Sequence, residues 1–169
     1  MAAISTDAIK TLREKTGAGV MDCRRALEEA GGDLGKAEQI LHQQGLERAE
    51  KKSGRVASQG VIEAYLHAGG RIGAMVELNC ETDFVARDEG FRALAREIAM
   101  QIAAMSPEYV ADEDAPADLS EEDKKAKVLL RQGFIRNEKQ SIRDLITERA
   151  ARFGENVRVR RFTRFELGT

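Results

Sequence analysis

Val61-Ile62-Glu63-Ala64-Tyr65-Leu66-His67, then Ala68-Gly69-Gly70, then Arg71-Ile72-Gly73-Ala74-Met75-Val76-Glu77-Leu78 is the stretch on which the fold turns. Two runs with strand-like residues flank a short Gly-Gly connection, the pattern of a β-hairpin. Downstream, Phe91, Leu94, Ile98, Ile102 and Met105 step by three or four residues and form one apolar stripe, so a long helix follows the hairpin. Upstream, the first fifty or so residues (an approximate count) read as three short helices. Thr6 is the candidate N-cap of the first, where Ile9 and Leu12 share a face and Gly17 is the stop. Gly17-Ala18-Gly19 permits a tight turn, Val20-Met21-Asp22 opens the second helix through Leu27, and Gly31-Gly32-Asp33 ends it. Asp33 then caps the third, with Leu34, Ala37 and Leu41 at helical spacing.

Residues 47–59 are charged and then small and polar, which marks a boundary between a unit at 1–54 and a unit at 55–169. Residues 106–123 hold both prolines and many acids and read as a solvated connector. Helical patterning resumes near 125–130 and over 141–150, where Ile142, Leu145 and Ile146 face inward, and Gly154 ends it. Residues 156–167 form a final strand whose alternation slips at Arg160-Arg161, the mark of a bulge. The expected class is α+β: an N-terminal three-helix module, then an antiparallel sheet of at least three strands covered by helices.

Composition narrows the function. Of the 169 residues 42% are hydrophobic and 33% charged, so a soluble domain with a heavily charged surface is expected. The net charge of −2 argues against a general nucleic-acid or membrane-surface binder. The start lacks a basic-then-apolar leader and no apolar run reaches membrane-spanning length. Cys23 and Cys80 show no metal or redox spacing, which suits a reducing cytoplasm.

Sites for covalent chemistry are scarce. His42 and His67 fall in different elements, outside any metal or nucleophile motif, and no phosphate-loop, dinucleotide or nucleophile-elbow pattern occurs. A Cys80–His67 pair across the hairpin is conceivable, but a small buried apolar role for Cys80 is favoured. Arg158, Arg160, Arg161 and Arg164 interleave with Phe162 and Phe165, as a nucleic-acid surface would. The favoured reading is an amphipathic strand with solvated arginines, since the rest of the chain offers no basic surface. No catalytic residue, metal or cofactor is expected.

The most informative segment is Asn79-Cys80-Glu81-Thr82-Asp83-Phe84-Val85-Ala86-Arg87-Asp88, where a strand ends and a helix begins. Thr82 or Asp83 is a reasonable N-cap. Phe84 either folds back as a hydrophobic staple or is presented to a partner from a rigid connection. The residues alone leave these two readings even.

Here a resemblance enters. Thr16-Gly17-Ala18-Gly19-Val20-Met21-Asp22-Cys23-Arg24-Arg25-Ala26-Leu27 and Glu77-Leu78-Asn79-Cys80-Glu81-Thr82-Asp83-Phe84-Val85-Ala86 closely resemble the two signature segments of the bacterial elongation factor Ts family, in matching order and separation. Gly154-Glu155-Asn156-Val157 followed by Arg160-Arg161-Phe162 also looks like that family. The resemblance implies a guanine-nucleotide exchange factor, without covalent chemistry, that binds elongation factor Tu and speeds GDP release. It implies an N-terminal module similar to a ubiquitin-associated domain, with Arg13, Val20, Met21 and Arg24 at docking positions. Asp83 and Phe84, flanked by Thr82 and Val85, match the pair that intrudes near the partner's Mg²⁺ site, and His67 resembles a histidine that assists the intrusion. A longer form of the family carries two copies of the core and a helical hairpin. This chain has one copy, and residues 106–140 are too few for that hairpin. The short form tends to homodimerise, so a symmetric dimer through the final strand region is expected. Thr163 stands where some short members have cysteine, so that dimer would be non-covalent.

Overall fold

The computed structural model describes residues 4–168. Three helices open the chain: α1 (Thr6–Thr16), α2 (Val20–Glu29) and α3 (Leu34–Lys52). Ser5, one residue before the expected cap, accepts from the Ala8 amide, so Thr6 is the first helical residue. Gly17 closes α1 at φ 69°, a conformation glycine adopts without steric cost. Asp33 caps α3 by accepting from the Lys36 amide at 2.8 Å. Leu12, Cys23, Ala26, Leu27, Ala37 and Leu41 form a small core of their own. The charged run expected to mark a boundary is still helical to Lys52, because its residues are good helix formers. Helix α3 thus spans both cores: Ala37 and Leu41 belong to the first and Ala49 to the second.

The second core lies between a sheet and its helices. Strands β1 (Gln59–Leu66) and β2 (Ile72–Cys80) form the expected hairpin, and the final strand, β5 (Arg158–Glu166), pairs with β2. The order β1-β2-β5 is antiparallel throughout. On the inner face Ala74, Val76 and Leu78 meet Phe91, Leu94, Ile98 and Ile102 of α5 (Glu89–Met105), which follows the one-turn α4 (Asp83–Ala86). Met105, grouped with that stripe by spacing, is half exposed at the helix end. The outer face keeps Ile62, Leu66, Met75 and Phe165 in solvent.

Between α5 and the last helix the chain is more tightly held than a solvated connector. Pro107 is buried, Leu129 and Leu130 donate to the carbonyls of Tyr109 and Val110, and Arg131 pairs with Asp112 and with Glu121 of α6 (Glu121–Lys127). Two buried glutamines pin this region. Gln101 donates to Gln132 Oε1 (3.2 Å) and the Gly133 carbonyl (3.1 Å), and accepts from the Ile135 amide (2.9 Å). Gln132 donates to the carbonyls of Met105 (3.3 Å) and Ala126 (2.6 Å). A small hairpin of β3 (Gly133–Phe134) and β4 (Asn137–Ser141) precedes α7 (Ile142–Phe153), which Gly154 ends at φ 69°. Strand β5 (Arg158–Glu166) closes the sheet, with Leu78 opposite Val159 but Glu77 opposite Arg161. Arg160 is therefore the extra residue of a bulge, as the slipped alternation predicts.

Candidate functional site

The connection from β2 to α5 presents one large side chain outward. Thr82, in extended conformation, caps α4 by accepting from the Val85 amide at 3.3 Å, and Asp88 caps α5 by accepting from Gly90 and Phe91. A helix of one turn between two caps leaves its side chains little freedom of direction. Val85 and Ala86 enter the core, while Phe84 on the opposite side is 83% exposed. The staple reading of Phe84 thus fails, because Val85 already occupies the inward position. Asp83 is exposed beside it and pairs with Arg87 at 2.8 Å. Of the four expected intruding residues, Asp83, Phe84 and Thr82 are accessible, and Val85 is an anchor whose side chain faces inward.

His67 is not brought to this loop. It follows β1 at the Gly69-Gly70 turn, and the register pairs Leu66 with Gly73 but Gln59 with Cys80. About seven residues of strand, roughly 23 Å, therefore separate it from the loop end of the hairpin. The same register rules out a Cys80–His67 pair. Cys80 is fully buried and donates its thiol hydrogen to the Thr82 carbonyl (3.2 Å). Burial, with the Glu155 charge adding to it, pushes this thiol up to about 11, far from a reactive nucleophile. His67 faces solvent, with Tyr65 Oη 3.3 Å from its Nδ1.

In the N-terminal module, Val20 and Met21 open α2 and are 50% and 61% exposed. Val20 and Arg24 share a helical face, and Arg13 lies in the last turn of α1, its carbonyl accepting from Gly17. Around them Asp22 accepts from Arg25 and Arg48, and these guanidiniums, Arg48 first, hold its carboxyl below the usual range. The turn that carries the expected docking positions is thereby tied to α3. Among the described residues no cluster of His, Cys, Asp and Glu could hold a metal ion, and no helix is long and apolar enough to cross a membrane.

Comparison with known proteins decides what this arrangement belongs to. Residues 35–128 match the family model described as Elongation factor TS. Elongation factor Ts of Carboxydothermus hydrogenoformans is 49% identical over 98% of this chain and 89% of its own length. The chain belongs to the elongation factor Ts family. Elongation factor Ts of Coprothermobacter proteolyticus is 48% identical over 98% of both chains, and that of an Anaeromyxobacter species (strain K) 47% over 99% of this chain and 90% of its own. Membership places the protein in translation elongation. The alignments run over 194 to 197 positions, more than the 169 residues present here, so these relatives carry internal segments that this chain lacks.

Proposed function

We propose that this chain binds elongation factor Tu in its GDP form and promotes GDP release, without covalent chemistry or a cofactor, in the cytoplasm. One observation carries the reading: Phe84 is 83% exposed on a single helical turn whose next residue is locked into the core. A monomeric protein gains nothing by holding an aromatic ring rigidly in water, whereas a partner gains a preorganised probe. GDP in a GTPase is held by phosphate-loop amides and by Mg²⁺ bridging phosphate oxygens. An aromatic side chain wedged among those elements displaces the metal's ligands and weakens the nucleotide. Arg13, Val20, Met21 and Arg24 of the N-terminal module supply docking, so affinity and trigger reside on different elements. The arginines of β5 favour this reading over RNA binding, since Arg160 and Arg161 are both held by Glu77 (3.6 and 2.7 Å).

The active form we propose is a symmetric, non-covalent dimer built on the open sheet face, where Ile62, Leu66, Met75 and Phe165 are exposed together. Stacking two such faces with strands running in opposite directions sets the His67 end of one hairpin beside the Phe84 end of the other. That arrangement gives His67 a place near the intrusion that a single chain denies it.

The experiment is release of a fluorescent GDP analogue from elongation factor Tu, with the parent and with Phe84→Ala. Acceleration by the parent, mostly lost in the folded variant, is the expected result. A folded parent that leaves the release rate unchanged overturns the proposal.

A further inference from the structure

The loop that carries Phe84 is braced from outside its own segment by a carboxylate that the sequence reading gave no role. Glu155 lies in the four-residue connection between α7 and β5. Its Oε2 accepts from the backbone amides of Glu81 and Thr82, both at 3.0 Å, and its Oε1 accepts from the Thr82 hydroxyl at 2.6 Å. The last contact has a consequence for the cap. With its hydrogen committed to Glu155, the Thr82 hydroxyl keeps a lone pair turned to the Val85 amide, the bond that starts α4.

The brace is reciprocal. Glu81 Oε1 accepts from the Asn156 amide at 2.7 Å, and Asn156 Nδ2 donates to the carbonyls of Ser53 and Arg55 (2.9 and 2.7 Å). Two carboxylates thus cross between the connections that precede α4 and β5, and the end of α3 is tied to the same knot. Hydrogen bonds to a charged acceptor are shorter and stronger than those between neutral groups.

We propose that Glu155 is a positioning residue for the exchange loop: by fixing Glu81 and Thr82 it sets the direction in which Phe84 projects. This rests on the exchange reading above. Glu155 touches no partner in this scheme; it lowers the ordering cost that a loose loop would impose when Phe84 intrudes.

The test uses the full chain with Glu155→Ala, Glu155→Gln and Thr82→Ser, read in two ways. Amide hydrogen exchange on the protein alone reports the brace. The Glu81 and Thr82 amides are expected to exchange at least about tenfold faster in Glu155→Ala, with Glu155→Gln intermediate, while the α1 and α2 amides stay unchanged. Release of a fluorescent GDP analogue from elongation factor Tu reports the consequence. Glu155→Ala is expected to lower the maximal rate about tenfold while the half-saturating concentration shifts less than about twofold. Thr82→Ser, which keeps the hydroxyl, is expected to keep the parental protection of the Glu81 and Thr82 amides. Unchanged protection of Thr82 in Glu155→Ala overturns the proposal, as does a parental maximal rate. A loss confined to the half-saturating concentration overturns it too, since that assigns Glu155 to docking. Should Glu155→Ala unfold, Glu155→Gln carries the same comparisons. A parent that fails to release GDP defeats the exchange reading, and the amide protection still decides the brace.

Discussion

Two phenylalanines seven positions apart illustrate how differently one residue type is used. Phe91 is fully buried against Phe153, with ring centroids 5.8 Å apart, whereas Phe84 stands in solvent. Chemical denaturation should therefore show Phe91→Ala losing about 3–5 kcal/mol of stability. Phe84→Ala should stay within about 0.5 kcal/mol of the parent. Cys80 offers a second test. In the unfolded chain its thiol titrates near 9.0 and in the fold at about 11, so the native state keeps a proton that the unfolded chain releases. Its stabilising contribution is complete below pH 9 and is lost as pH rises towards 11. Melting temperatures taken from pH 8 to 10.5 should fall more steeply for the parent than for Cys80→Ala; equal slopes would refute the assignment. The sequence made Phe84 legible as a candidate, but left its direction open, because a staple and a probe need the same residue. Val85 settles it by taking the inward place. Glu155 was illegible as a functional group: its partners are backbone amides more than seventy residues away, which no local pattern encodes.

At the scale of elements, periodicity read well wherever one face is buried. The hairpin, the α5 stripe and the bulge at Arg160 all follow from alternation or its failure. The β3–β4 hairpin was missed because Asn137-Glu138-Lys139-Gln140 has neither apolar alternation nor branched residues. Its position comes instead from Gln101, a side chain on another helix. The first pairing of the sheet also depends on a feature hidden in the sequence. Gly60 has φ +150°, and a Cβ built there would lie 2.1 Å from the Leu78 carbonyl oxygen and 2.8 Å from Asn79 Cα. Both are backbone atoms of the neighbouring strand and cannot step aside. Gly60→Ala is expected to cost at least about 2 kcal/mol in urea denaturation. A variant within about 0.5 kcal/mol of the parent would show that the strands can separate there at little expense.

For the whole molecule the decisive asymmetry is between the two faces of the sheet. One is covered by α4 and α5, and the other bears Ile62 at 63%, Leu66 at 75% and Phe165 at 69% exposure. Apolar side chains grouped in this way suit the proposed dimer contact. Met75→Asp, which sets a charge on the middle strand of the expected contact, should sediment as a monomer at concentrations where the parent sediments as a dimer. A parent that remains monomeric at high concentration would remove the dimer from the mechanism. The paired glutamines bear on a different property, the freedom of the chain to vary in length. Gln132 fastens both Met105 and Ala126, so the residues between them form a loop with a closed neck. Lengthening such a loop twofold costs only about 0.6 kcal/mol in closure entropy. The exposed Ala117-Asp118 junction is accordingly a permissive splice point: an epitope or fluorescent reporter inserted there would hang from the neck and leave both cores undisturbed.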